Sequence, residues 1–259
     1  MLCCVLRGRP WGAYVTTVDL EDQTLNPDTL WAEQTPTSKE KSISLVLYRS
    51  YFNQLGAECL QKDKQRIHGV AVWCLSSGVS NEVQYHIDYA ELYRYETNII
   101  HPPLYAGTCQ ISPLQGTDML GGDFYANLSG LDHYKDFGYK GLLKSESELQ
   151  DDIESSGDWV RVRYKCNRGT LHDGDFPHFS SPVRQLVPDK RRVIMGFNFF
   201  SDAVGECCVR APEVRIRIGV QHSLCLYLEH THLLAVAIDG FLAGCGMCVR
   251  VAVYYCIHS

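Results

Sequence analysis

The amino-acid sequence predicts a mainly β protein with flanking helices. Three observations carry that prediction. Short runs rich in β-branched and aromatic residues recur between residues 67 and 200, turn residues separate most of them, and a stretch at helical spacing precedes them all.

Residues 1–42 read as a poorly ordered N-terminal segment. Pro10, Pro27 and Pro36 interrupt them, and Glu33–Lys41 is polar, as in a linker. In Ile43–Gln61, Leu47, Tyr51 and Leu55 recur at helical spacing with Val46 and Phe52 beside them, which predicts an amphipathic helix. The strand-like runs follow: Ile67–Leu75, Val83–Tyr89, Leu104–Ser112, Asp123–Asn127, Trp159–Tyr164, Thr170–Asp173, Phe179–Val183 and Arg192–Phe200. Ser76-Ser77-Gly78, Pro102-Pro103, Gly121-Gly122, Asn167-Arg168-Gly169, Asp173-Gly174-Asp175 and Pro188-Asp189 supply turns between them. Strands in this arrangement suggest a sandwich or barrel closed by two sheets, spanning residues 43–212. Residues 131–158 differ in character and read as an insertion, a loop or short helices over the barrel mouth.

The segment 213–259 is an atypical, hydrophobic, cysteine-rich tail. Leu233–Val249 is slightly short for a membrane span and carries Asp239, so a span is not expected. Cys245-Gly-Met-Cys248 has the spacing of half a zinc site, but no second pair is placed to complete four ligands.

Composition narrows the function. The 259 residues suffice for a large core and carry a net charge of −6. No Lys/Arg block offers the electrostatic footprint of a nucleic-acid binder. A chain this long needs no disulfide framework, so its 12 cysteines read as reduced, small apolar residues of a cytoplasmic protein. The Asn127-Leu128-Ser129 sequon is then accidental.

The chemistry is concentrated in "YHIDYAELYRYETNIIHPP", Tyr85–Pro103. On a strand, residues i and i+2 share a face, so His86 and Asp88 point the same way. An imidazole and a carboxylate can share a divalent metal. One more imidazole would complete the two-histidine, one-carboxylate facial triad of non-haem Fe(II) oxygenases. Asp132-His133 is a second acidic–histidine pair, but its loop placement makes a poor metal site. Tyr89, Tyr93, Tyr95 and His101 would line the substrate mouth or pack its lip. Tyr105, Thr108 and Gln110 lie on the next strand, where a cosubstrate would be touched.

Asn167–Phe200, "NRGTLHDGDFPHFSSPVRQLVPDKRRVIMGFNFF", resembles the distal half of the double-stranded β-helix of 2-oxoglutarate/Fe(II)-dependent dioxygenases, especially the prolyl-hydroxylase-like branch. The matching features are Gly169-Thr170-Leu171, Pro177-His178, Pro182-Val183, and Arg191-Arg192 leading into the last strand. Gly121-Gly122-Asp123-Phe124 resembles the family's Gly-Gly turn. The resemblance spans residues 43–203.

The resemblance implies a jelly-roll or cupin-like barrel. Its metal ligands would be His86, Asp88 and His178, with His178 preferred to His172 because it stands in the Pro-His and Pro-Val pattern. It implies Arg191 as the residue that binds the distal carboxylate of 2-oxoglutarate. Arg191 and Arg192 alternate faces, and Lys190 and Arg192 remain alternatives. The implied activity is an Fe(II)- and 2-oxoglutarate-dependent oxygenase that consumes O2 and hydroxylates a protein side chain or a small molecule, with ascorbate as an accessory reductant. Two other readings use the same residues: a catalytically inactive, oxygenase-like binding or scaffold protein, and a cupin-like metalloprotein that does not use 2-oxoglutarate.

Overall fold

A computed structural model describes residues 12–50, 52, 58–114, 116–137, 146–208 and 252–253. In chain order the elements are β1 (Ala13–Thr16), α1 (Thr17–Glu21), α2 (Pro27–Ala32), α3 (Pro36–Arg49), α4 (Glu58–Asp63), β2 (Gly69–Ser77), β3 (Val83–His86), α5 (Glu91–Thr97), β4 (Tyr105–Gln110), β5 (Met119–Gly121), β6 (Phe124–Asn127), α6 (Gly130–Phe137), α7 (Glu146–Ser155), β7 (Trp159–Val162), β8 (Arg168–Asp173), β9 (His178–Ser180), β10 (Val183–Leu186), β11 (Arg192–Phe200) and the two-residue β12 (Ala252–Val253). A 3₁₀ turn, Ala203–Cys208, follows β11.

Order begins well before residue 43. Pro27 and Pro36, which look like interruptions, are the first residues of α2 and α3, where a missing N–H costs nothing. Asn26 and Thr35 cap these helices: the Asn26 side chain accepts from the Asp28 and Thr29 backbone N–H groups, and Thr35 Oγ1 accepts from Ser38 N at 3.1 Å. The expected helix therefore starts at Pro36 and is α-helical to Arg49, while Tyr51 and Leu55 lie outside the described residues. Arg49 donates to the carbonyls of Leu25 and Asp22, tying α3 to the loop before α2.

Two mostly antiparallel sheets face each other. The larger has the order β1-β2-β11-β4-β8-β12 and the smaller β3-β9-β6-β7, with β5 and β10 forming a separate ribbon. The outer face of the large sheet buries Val193, Met195, Phe197 and Phe199 of β11 and Val70 and Val72 of β2 against Leu45, Leu47 and Tyr48 of α3. By alternation Arg192, Ile194, Gly196 and Asn198 of β11, and Ala106, Thr108 and Gln110 of β4, face inward. On the outer side of the small sheet Tyr85, Ile87 and Phe179 pack with Tyr134 and Phe137 of α6 and Leu149 of α7. Helices α6 and α7 are thus a cover fixed to the strand that carries His86. Phe124 of β6 lies against His172 of β8 at 5.6 Å between ring centroids, which brings the two inner faces into contact.

Among the described residues no helix is long and apolar enough to cross a membrane. The tail, including Leu233–Val249 and Cys245–Cys248, lies outside the described residues apart from 252–253. Asn127 is fully buried, its Oδ1 accepting from Ser129 N, so the sequon asparagine faces no solvent.

Candidate metal centre

The backbone brings His86 and His178 together. β3 and β9 are antiparallel neighbours and their register sets His86 directly opposite His178. Facing residues on one side of such a pair have Cβ atoms about 5 Å apart. The ring centroids are 4.4 Å apart. Asp88, just beyond the end of β3, adds its carboxylate between them: His86 Nε2 is 3.6 Å from Asp88 Oδ1 and His178 Nε2 is 3.7 Å from Asp88 Oδ2. One donor atom from each of the three lies within 4.8 Å of the other two, and this is the cluster of metal-ligand type found among the described residues.

Hydrogen bonds set the imidazole tautomers. His86 Nδ1 contacts the carbonyl of Gln84 at 2.6 Å, and His178 Nδ1 contacts that of Phe176 at 3.0 Å. A carbonyl only accepts, so each Nδ1 carries a proton, and Nε2 is the nitrogen left to face a metal. Metal-bound histidines are held this way, by a donor bond from the other ring nitrogen. Burial, and then the nearness of His86, push the His178 imidazole down to about 3, so it stays neutral. Burial alone would raise the Asp88 carboxyl, but His178 and His86 beside it outweigh that and hold it below the usual carboxylate range. Two neutral imidazoles and one anionic carboxylate are the donor set of the Fe(II) facial triad. In an octahedral face, ligands with bonds of about 2.1 Å sit roughly 3 Å apart, so donors now 3.6 to 4.8 Å apart would have to draw together around an ion. The residues fit a divalent ion.

The remaining predicted residues divide between the inner face and elsewhere. His172 points inward from β8, its ring 5.1 Å from that of His178 and its Nδ1 donating to the Asp173 carbonyl, but it is not a member of the triad's cluster. Thr108 and Gln110 face inward. Tyr105 does not: its hydroxyl donates to Asp63 Oδ2 at 2.6 Å on the helix side of the sheet. Tyr105 and Thr108 differ by an odd number of residues, so a strand cannot show both to one site. Tyr89 joins the outer cluster of the small sheet, and Tyr95 is exposed. His133 pairs with Asp152 rather than with Asp132. Its Nε2 donates to Asp152 Oδ2 at 2.8 Å and its Nδ1 accepts from the Tyr85 hydroxyl at 2.8 Å, while the Trp159 indole N–H shares Asp152. That network fastens α6 and α7 to β3.

Arg191 and Arg192 go opposite ways, as alternation requires. Arg191 Nε donates to Ser76 Oγ at 3.3 Å at the β2 edge. Arg192 is the inward one and is 2% exposed. Its Nη2 donates to Ser180 Oγ at 3.3 Å, its guanidinium lies 5.8 Å from the Tyr164 ring centre, and its Nε is buried without a partner among the described residues. The nearby Asp123 carboxylate is engaged by Arg161 through both Nε and Nη2. Ser180 is two residues from His178 on β9 and on the same face, about 7 Å along the strand. The turn that closes over Arg192 is Gly121-Gly122, with φ of +83° and +70°; a Cβ on Gly122 would stand 3.0 Å from Arg192 Cδ and Nε.

One contributor was not anticipated. Asn198 is fully buried near the C-terminal end of β11. In the amide orientation that satisfies both of its ends, its nitrogen donates to Asp88 Oδ2 at 3.1 Å and to the Phe197 carbonyl at 2.9 Å. The available signal was a lone amide on the inward parity of an otherwise apolar strand, VIMGFNFF.

No protein-family model and no curated protein matches the chain. Among solved structures it is similar to a prolyl-4-hydroxylase of Pseudomonas putida, with 12% sequence identity over 77% of this chain and 91% of that one, at a TM-score of 0.36. At that TM-score the likeness carries no argument, and function has to be read from the triad itself.

Proposed function

We propose that this protein is an Fe(II)- and 2-oxoglutarate-dependent oxygenase acting on a protein side chain or a small molecule. The observation that carries the reading is the convergence of His86 Nε2, Asp88 and His178 Nε2 within 4.8 Å, with both imidazoles oriented by carbonyls behind them. Three ligands on one side leave the other positions of an octahedral ion for a cosubstrate and oxygen. When bound, the iron would supply the activation of O2 coupled to decarboxylation of 2-oxoglutarate.

The chain's own residues have distinct parts. His86, Asp88 and His178 hold the ion. Arg192 takes the distal carboxylate of 2-oxoglutarate in place of Arg191, because it is the inward guanidinium, it is buried, and its Nε lacks a partner among the described residues. A buried guanidinium whose hydrogen bond goes to a neutral hydroxyl is poorly compensated, and a carboxylate offers the two-pronged acceptor that matches its fork. Ser180 steadies the same guanidinium. The inner faces of the two sheets keep bulk water from the reacting atoms, which limits turnover without substrate.

The test is conversion of 2-oxoglutarate to succinate with added Fe(II), comparing wild type with His86→Ala and His178→Ala. Turnover in the wild type that both substitutions abolish is the expected result. Turnover unchanged by either substitution rejects the assignment.

A further inference from the structure

We infer that Asn198 is a positioning residue for the ligand carboxylate: by donating to Asp88 Oδ2, the oxygen that also faces His178 Nε2, it fixes the carboxylate plane and so restrains how Asp88 takes the metal. This rests on the metal reading of the triad and goes beyond it, since it concerns a residue of the opposite sheet that touches neither imidazole.

Chemistry fixes the amide orientation. Asn198 faces three groups: the Asp88 carboxylate, the Phe197 carbonyl and the Cys208 thiol. The first two only accept, so the NH2 must face them. The other end of the amide lies 3.7 Å from Cys208 Sγ. Burial, with Asp88 adding to it, raises the Cys208 thiol and keeps it protonated, so it is the donor that the amide oxygen needs. All three neighbours are satisfied in one orientation, whereas the other sets the amide oxygen against two acceptors. A buried amide left without partners costs about 1–3 kcal/mol, so the arrangement is strongly selected over its reverse.

The consequence concerns denticity. A free carboxylate can swing both oxygens onto an ion and occupy two coordination positions. With Oδ2 bonded to Asn198 the carboxylate plane is fixed, and it cannot turn freely without losing that bond. The register reinforces this. Asn198 is opposite Ala106 on β4 and Ala71 on β2, small neighbours that leave the amide room to reach across to the small sheet. Partners of this kind behind a metal ligand change affinity about 10–100-fold when removed.

The experiment is titration of the metal-free full chain with Co(II), reading both the dissociation constant and the visible absorption of the bound ion. It compares wild type, Asn198→Leu, Asn198→Asp and His178→Ala. Asn198→Leu keeps the size and loses the donor; Asn198→Asp keeps the shape and sets an acceptor against an acceptor. Both are expected to weaken Co(II) binding about 10–100-fold and to alter the absorption band, with circular dichroism unchanged. A folded variant of either kind that binds within threefold of wild type with an unaltered band overturns the inference. If Asn198→Leu does not fold, Asn198→Asp decides alone by the same criterion. Wild-type protein that binds no Co(II), or binds it equally well after His178→Ala, overturns the triad itself, and the two failures are therefore distinguishable.

Discussion

His86 and His178 stand directly opposite each other on antiparallel strands, their rings 4.4 Å apart, with Asp88 reaching an oxygen towards each Nε2. Such a pairing makes the two imidazoles a fixed couple. Removal of the carboxylate should then leave a well-placed but neutral pair. Asp88→Asn is expected to lower Fe(II) or Co(II) affinity by more than the roughly 10–100-fold typical of an outer-shell change, with the fold retained. Calorimetric titration under anaerobic conditions checks this; affinity equal to wild type would remove Asp88 from the ligand set.

Acid should destabilise the metal-free protein in a defined window. The folded-state His178 imidazole is depressed to about 3, well below the ordinary histidine value near 6.5, and burial depresses His172 in the same direction. Between those limits the unfolded chain binds more protons than the folded one. Stability is therefore present above about pH 6.5 and is lost as pH falls, at about 1.4 kcal/mol per pH unit for each proton taken up. Asp88, held low in the folded state, adds loss of the same sign below about pH 4. Urea midpoints measured from pH 8 to pH 4 test the sign. In His178→Gln the slope between pH 6.5 and 4 should shrink; a slope equal to wild type would refute the assignment to His178.

The two adjacent arginines should separate cleanly. Arg192→Met is expected to weaken 2-oxoglutarate binding by about 2–5 kcal/mol, the cost of removing one member of a buried charge pair. Arg191→Ala should leave it within threefold of wild type. Without ligand, Arg192→Met should be as stable as wild type or more so, because it replaces a poorly compensated buried charge by an apolar side chain of similar length. Equilibrium binding and thermal melts of the same samples provide both readouts. Reversed behaviour of the two variants would return the carboxylate to Arg191.

Tyr85→Phe should loosen the helical cover. It removes the hydroxyl that donates to His133 Nδ1 and leaves that nitrogen buried and unpaired, a loss of about 1–3 kcal/mol. At about 2–4 °C per kcal/mol the melting temperature should drop by several degrees. Metal stoichiometry should not change, because the Tyr85 side chain is on the opposite face of β3 from His86. An unaltered melting temperature would mean that the Asp152–His133–Tyr85 network does not hold the cover.

Much of this was legible in the residues, for reasons that differ by element. The bounds of β11 match the run Arg192–Phe200, because its residues are bulky or β-branched and a turn precedes it. The convergence of His86, Asp88 and His178 was readable from extended-chain alternation and a resembling motif, although Asp88 lies just past the end of β3. The phase of β11 was not legible from the strand alone. Alternation says that Arg191 and Arg192 differ, but which one faces inward depends on which face the helices cover. Val193, Met195, Phe197 and Phe199 meet α3, which turns Arg192 and Asn198 inward. The early helices were obscured because a proline reads as a break unless its place in the first turn is known. The partner of His133 could not be read at all, because Asp152 comes from a different helix.

The pairing of β3 with β9 also bears on how the chain reaches its folded form. These strands lie far apart in the sequence, and most other strand contacts are similarly non-local, a topology that folds slowly. Until the two halves of the chain have met there are not enough donors in one place to grip an ion. Iron would then arrive at a finished molecule: the rate of refolding would be indifferent to it, while the rate of unfolding would fall as the ion is taken up. Loss of the ion, rather than any weakness of the sheets, would mark the start of this protein's decay.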